Sequence, residues 1–135
     1  MQYMLMPLAR YFDFSGRSRR KEYWMFALLN LIIITIFVTA LLTLGISLDP
    51  YDATGGPVMW LVMAVLGIYS LLILIPSIAV QVRRFHDQDK SGWFVLINFV
   101  PYIGGLIVLV FMLLEGTRGP NKYGPDPKEG FTRGV

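Results

Sequence analysis

Residues 23–48, 58–82 and 93–114 are three apolar windows without a charged side chain, separated by short polar segments. Each is near or above the roughly 20 residues a membrane-crossing helix requires. The first two read as full spans. In the first, Thr35, Thr39, Thr43 and Ser47 recur every fourth residue, and in the second Gly67, Ser70, Ser77 and Gln81 fall near one stripe. Each helix thus has a small or hydroxylated face whose hydroxyls can bond back to their own carbonyls or meet a neighbouring helix. Pro76 should kink the second span.

The third window, "WFVLINFVPYIGGLIVLVFMLL", has Pro101, Gly104 and Gly105 at its centre, which leaves arms of 8 or 9 residues. At 1.5 Å per residue each arm reaches about 12–14 Å, half of a hydrocarbon core roughly 30 Å thick. The break predicts a re-entrant hairpin whose tip holds Pro101, Gly104 and Gly105, the alternative being a kinked third crossing. A hairpin tip must be shielded by protein, because irregular backbone facing lipid leaves polar groups without partners. The fold class is an all-α polytopic membrane protein with two full spans and this broken segment.

The flanks fit that frame. Residues 1–22 are rich in aromatics and methionine, are broken by Pro7 and Gly16, and end in a basic cluster, as suits an interfacial segment. The connector 49–57 has turn chemistry, and the tail 115–135 is dense in glycine and proline, so turns and then disorder are expected there. Residues 1–127 read as one membrane domain, with a polar loop at 83–92.

Composition sharpens the class. The chain is 55% hydrophobic and 16% charged, with mean hydropathy +0.56, whereas a soluble domain carries about 25% charge. No cysteine is present, which excludes disulfides and thiolate metal or redox sites. The first apolar run is too long, and too far from the N-terminus, for a cleaved signal, and reads as an anchor that stays.

Charge placement sets the topology. Arg10, Arg17, Arg19, Arg20 and Lys21 precede the first span, Arg83, Arg84 and Lys90 lie between the second and third windows, and Arg118, Lys122, Lys128 and Arg133 lie in the tail. The connector 49–57 has two acids and no cation. By the positive-inside rule the N-terminus and the 83–92 loop are cytoplasmic, and a hairpin would return the tail to the same side. Cations at the borders of apolar runs point to anionic headgroups, not to nucleic acid.

The stretch "RRFHDQDKSGW" at residues 83–93 holds the chain's one histidine beside two aspartates. No nucleophile with a supporting base can be named, so no catalytic residue is assigned. His86, Asp87 and Asp89, even with Glu22 or Asp13, match no metal-ligand spacing, and no metal or cofactor is expected. A structural ion-pair network of Glu22, His86, Asp87 and Asp89 with neighbouring cations explains more of the letters. Ser91 suits an N-cap for the arm starting near Trp93.

These blocks also look familiar together. "YFDFSGRSRRKEYWMF" at 11–26, "RRFHDQDKSGW", the "PYIGG" centre and "GPNKYGPDP" at 119–127 resemble, in order and spacing, the small bacterial inner-membrane proteins of domain of unknown function 805. The family commonly has "RRLHD", from which Phe85 departs mildly. The resemblance implies a bacterial inner-membrane location and supplies no reaction or substrate. The expectation is a non-enzymatic module that binds a partner or anionic lipid through Arg17, Arg19, Arg20, Lys21, Arg83 and Arg84. Partners would be lipid headgroups, another membrane protein or a second copy of the chain. The alternative is a small oligomeric transporter or channel subunit using the broken third segment.

Overall fold

A computed structural model describes residues 2–48 and 56–129, of which 44–48 by backbone alone. Most of the 49–57 connector, the Ser47 side chain and the last tail residues, where disorder is expected, lie outside the described residues. In order come α1 (Gln2–Ala9), α2 (Arg20–Leu48), α3 (Gly56–Asp87), a 3₁₀ helix (Gly92–Phe99) and α4 (Gly104–Leu113). No strand occurs among the described residues. The chain divides into two compact units, Ala27–Leu74 and Met1–Phe26 with Ile75–Val135.

The Ala27–Leu74 unit consists of the apolar stretches of α2 and α3. Residues Arg20–Thr43 and Gly56–Asp87 each have a mean hydropathy of 2.6 over their most apolar window, and 6% and 0% of those windows is buried. A soluble core helix would be covered, whereas Leu31, Ile36, Leu61 and Leu71 project outward here, as lipid-facing side chains do. Thr35, Thr43 and Ser70 bond to the carbonyls of Leu31, Thr39 and Leu66 at 2.7, 2.9 and 2.8 Å, which satisfies their hydroxyls within their own helices. Tyr69 donates to Asn30 Oδ1 at 2.6 Å and lies beside the Phe37 ring, tying α3 to α2.

The other unit gathers the ends of those helices, the N-terminal segment, the broken segment and the tail. Its apolar centre is Phe85, Val108 and Met112, with Tyr23, Trp24, Val95, Ile97 and Phe111 packed around it. Phe85, the departure from the family's usual aliphatic, stands between the Phe94 and Phe111 rings at 5.9 and 5.8 Å. Its aromatic area fills the space between the two arms.

The third apolar window folds back on itself. Ser91 accepts from the Trp93 amide and caps the 3₁₀ helix, and the chain turns through residues 100–103 with Tyr102 at φ 68°. It then returns along α4. A Cβ at Gly104 would lie 2.0 Å from the Ile97 carbonyl oxygen, so only glycine lets the arms approach this closely, whereas Gly105 faces open space. At about 2.0 Å per residue the 3₁₀ arm reaches roughly 16 Å, close to the roughly 15 Å of the α4 arm at 1.5 Å per residue. The tighter winding of the first arm thus equalises two arms of unequal residue count. Beyond α4 the Thr117 amide donates to the Asp87 carbonyl at 2.7 Å. The segment therefore comes back to the end of α3 from which it left, as a hairpin does and a third crossing does not.

Candidate functional site

Arg83 and Arg84 occupy the last turn of α3, and both are fully buried. Neighbours on a helix diverge by about 100°, so the two guanidiniums address different parts of the chain. Arg83 turns to the N-terminal segment: Nε donates to Ser18 Oγ at 2.9 Å, Nη2 pairs with Glu22 at 3.2 Å, and Nη1 reaches the Arg10 and Asp13 carbonyls. The Ser18 amide returns a bond to the Arg83 carbonyl at 3.1 Å. Arg84 turns to the hairpin, where Nη2 donates to the Leu114 carbonyl and Nη1 pairs with Asp87.

Asp87, one helical turn below Arg84, is the hub. Arg17 places Nε and Nη2 each 3.0 Å from its Oδ1, and extends Nη1 and Nη2 to the Gly119 and Thr117 carbonyls, both at 2.6 Å. A Cβ at Gly116 would lie 1.9 Å from Asp87 Oδ2, so glycine there lets the chain pass the carboxylate. Three buried guanidiniums thus share two buried carboxylates, and every guanidinium nitrogen among them except Arg84 Nε has a partner in a carboxylate, a backbone carbonyl or the Ser18 hydroxyl.

The same junction closes the C-terminus of α4. Its last carbonyls have no partner within the helix. Gln88 caps Phe111, Trp24 Nε1 donates to Met112 at 3.2 Å, and Arg84 takes Leu114, the cation also suiting the negative end of the helix dipole.

His86 is part of the clamp on the tail. Its Nδ1 lies 3.1 Å from the Gly16 carbonyl, its ring stacks on Tyr123 at 3.8 Å, and its own carbonyl accepts from Asn121 Nδ2 at 2.9 Å. Further along, Asp126 accepts from the Gly119 and Lys128 amides at 3.0 and 2.9 Å, and Arg19 bonds the Pro127 carbonyl. Residues 117–128 are therefore tied down by hydrogen bonds, with a turn closed between Asn121 and Gly124. The amides of Lys128 and Gly119 hold the Asp126 carboxyl below its usual range. At the other margin, the Ser15 hydroxyl and then the Arg10 guanidinium lower Asp13 to about 2.

The structure separates the six cations expected to meet lipid or a partner. Arg17, Arg83 and Arg84 are interior, where their charges serve the junction and not a headgroup, a correction to the reading of the basic segments as one outer face. Arg19 is half-buried, Arg20 stands 3.8 Å from Glu115 at the surface, and Lys21 is exposed over the Tyr3 ring. Of the expected network, Glu22, Asp87 and His86 come together with the arginines. Asp89 does not: it is exposed, takes φ 57° and forms no ion pair among the described residues. The Asp89 and Lys90 amides instead bond the His86 and Phe85 carbonyls at 3.0 and 2.9 Å, a Schellman cap with Asp89 in the left-handed position.

Ser18, Gly116, Asn121, Tyr123 and Asp126 were not singled out in the sequence. The signal for Asn121, Tyr123 and Asp126 is the "GPNKYGPDP" block, which now reads as the strap across the α3 terminus, and Ser18 lies in the "YFDFSGRSRRKEYWMF" block, whereas Gly116 belongs to neither. A cleft of about 320 Å³ opens beside the junction, lined by Tyr3, Met6, Arg10, Arg17, Arg19 and Glu22. No three of His, Cys, Asp and Glu come together among the described residues in a way that could hold a metal ion.

Comparison with known proteins places these observations in a family. The chain is 47% identical over 130 residues, 96% of its length and 98% of the relative's, to Inner membrane protein YhaI of Escherichia coli (strain K12). It is 44% identical over 128 residues, 95% of its length and 98% of the relative's, to Inner membrane protein YhaH of the same organism. A more distant relative there, Uncharacterized protein YiiR, is 26% identical over 143 aligned positions, covering 87% of this chain and 88% of the relative. No solved structure matches the chain significantly. The profile of Protein of unknown function (DUF805) matches residues 11–125, which span all the segments of the junction. The chain is an integral membrane protein and belongs to the DUF805 family.

Proposed function

We propose that the protein is a non-enzymatic, multi-pass module of the bacterial inner membrane that engages anionic lipid headgroups through a cytoplasmic basic surface. The observation that carries this reading is the segregation of charge. Every Lys and Arg among the described residues belongs to the unit of residues 1–26 and 75–135, and none to 27–74. The return of the hairpin to the α3 terminus keeps the tail cations with the others, so the N-terminus, the 83–92 loop and the tail satisfy the positive-inside rule together.

With Arg17, Arg83 and Arg84 engaged internally, the headgroup contacts fall to Arg20, Lys21, Arg118, Lys122 and Lys128 and to the Arg10 and Arg19 margin of the cleft. Each cation near an anionic leaflet contributes about 1 kcal/mol, so five outer ones together make a substantial attraction. A non-enzymatic role suits a histidine whose ring is stacked and whose Nδ1 faces a carbonyl, with no nucleophile beside it.

Native mass spectrometry from mild detergent tests the reading. Retained phosphatidylglycerol or cardiolipin should fall when Arg20, Lys21, Lys122 and Lys128 are changed to glutamine, and unchanged retention would overturn it. A reporter fused after Val135 should read as cytoplasmic, and a periplasmic signal would overturn the topology.

A second reading, a small oligomeric transporter or channel subunit, draws on the non-helical turn inside the hairpin. Against it, no Asp, Glu, Lys, Arg or His lies within any apolar window, and such groups are the usual mark of an ion pathway. Flux in reconstituted vesicles that is abolished by Pro101→Ala would favour it.

A further inference from the structure

The hairpin presents polar groups where lipid would be. Asn98, in the first arm, is exposed and uses its Nδ2 on Gln81 Oε1 of α3 at 2.8 Å and on the Val95 carbonyl at 2.9 Å. Both Nδ2 hydrogens are then engaged, while Asn98 Oδ1 and the two Gln81 Nε2 hydrogens have no partner among the described residues. Leu96, Phe99 and Val100 beside them are exposed apolar side chains, so the pair lies in an apolar surface. The tip is a second such place. Tyr102 is 99% exposed, and its backbone N–H and carbonyl make no hydrogen bond among the described residues. In lipid each unpaired group costs free energy, and irregular backbone persists there only under a cover of protein.

We propose that the cover is a second copy of this chain, joined through Asn98 and Gln81 across a two-fold axis. The unfilled valences are an acceptor on Asn98 and donors on Gln81, so the pair is complementary to itself. A two-fold rotation brings the Gln81 amide of one copy to the Asn98 oxygen of the other, and the converse, forming two hydrogen bonds with one surface. A lipid headgroup could fill one of these valences but would not be expected to reach both from the apolar side. The hairpins then pack tip against tip, and each shields the other's turn.

The chain has no cysteine, so one cysteine appended after Val135 labels it at a single position. Energy transfer between donor- and acceptor-labelled full-length copies, diluted in vesicles of phosphatidylethanolamine and phosphatidylglycerol, reads the dimer constant. Gln81→Leu with Asn98→Leu should weaken dimerisation about 10- to 100-fold, the range expected from two intramembrane hydrogen bonds. The exchange Gln81→Asn with Asn98→Gln keeps one donor and one acceptor on each copy and should retain the dimer within about threefold. Tail protection from trypsin, and Trp24 emission read in a Trp60→Phe, Trp93→Phe background, establish that each variant is folded. The proposal is overturned by a monomeric wild type across the dilution range, by leucine variants that dimerise as the wild type does, by a folded exchange variant that is monomeric, or by a lipid bound to monomers in an Asn98-dependent way.

Discussion

Replacing Asp87 by asparagine puts the junction to its sharpest test. The side chain keeps its shape and loses its charge. Asp87 Oδ1 accepts from Arg17 and Oδ2 from Arg84, and an amide can offer an oxygen to one of them only. Whichever way it flips, its NH₂ group confronts a guanidinium, donor against donor. Arg84 is fully buried and the Arg17 side chain is 2% exposed, so water cannot take the place of the lost acceptor. Removing one partner of a buried, hydrogen-bonded ion pair costs about 3–5 kcal/mol, on the order of 10² to 10⁴ in the folding equilibrium.

Unfolding in mixed dodecylmaltoside and SDS micelles measures this loss. Trp24 is a suitable reporter in a Trp60→Phe, Trp93→Phe background, because its indole caps α4 at Met112. Adding Arg84→Met to Asp87→Asn restores the balance of buried charge, and the two changes should couple favourably by at least about 1 kcal/mol. Asp89→Asn, two residues away and exposed, should shift stability by less than about 0.5 kcal/mol. A loss below about 1 kcal/mol for Asp87→Asn, with no coupling to Arg84, would refute the assignment of Asp87 as the hub.

Three further outcomes follow from the same geometry. Gly104→Ala, whose methyl would meet the Ile97 carbonyl, should force the arms apart and lower stability by about 1–3 kcal/mol, whereas Gly105→Ala, facing open space, should not; equal effects would deny the close approach. Asp89→Gly should stabilise the protein by about 0.5–1 kcal/mol in the same unfolding assay, since glycine takes the left-handed cap position without strain; a destabilised variant would contradict that role. Asp13 and Asp126 have lowered folded-state pKa values, so their contribution is complete above the unfolded value near 3.8 and is lost as pH falls, for Asp13 through about 2. Hydrogen exchange corrected for intrinsic rate should show the Ser15, Gly119 and Lys128 amides losing protection in that acid window, and constant protection would contradict it.

Much of the fold was legible because hydrophobicity accumulates over twenty or more residues. The same summed signal, interrupted at Pro101 and Gly104, marked the hairpin, and the tail cations argued for its return. The 3₁₀ winding of the first arm was not legible, since nothing in "GWFVLINF" excludes an α-helix and the choice is set by packing against Phe85 and α4. Asp89 misled for a related reason: its letter reports a carboxylate, whereas its position in the cap is a matter of backbone angle.

The arginines show where letters stop. Arg83 and Arg84 follow an apolar run, as headgroup-seeking cations do, and only their partners make them interior. Glu22 lies 61 residues from Arg83, and Asp87, one turn from Arg84, is held in turn by Arg17 from 70 residues away. Sequence reports charge but not distance across the fold, so pairing and burial stay hidden until the segments meet. Once they do, the polar blocks that resembled separate membrane borders become one object: the start of α2, the end of α3, the return of the hairpin and the strap of the tail share two carboxylates. Because Glu22 and Asp87 are committed inside, they cannot neutralise the cations that remain outside, among them Lys21, Lys122 and Lys128. The basic outer surface proposed to meet anionic lipid is thus a consequence of how the interior is held together, and changes at Glu22 or Asp87 should disturb the fold before they disturb any lipid contact.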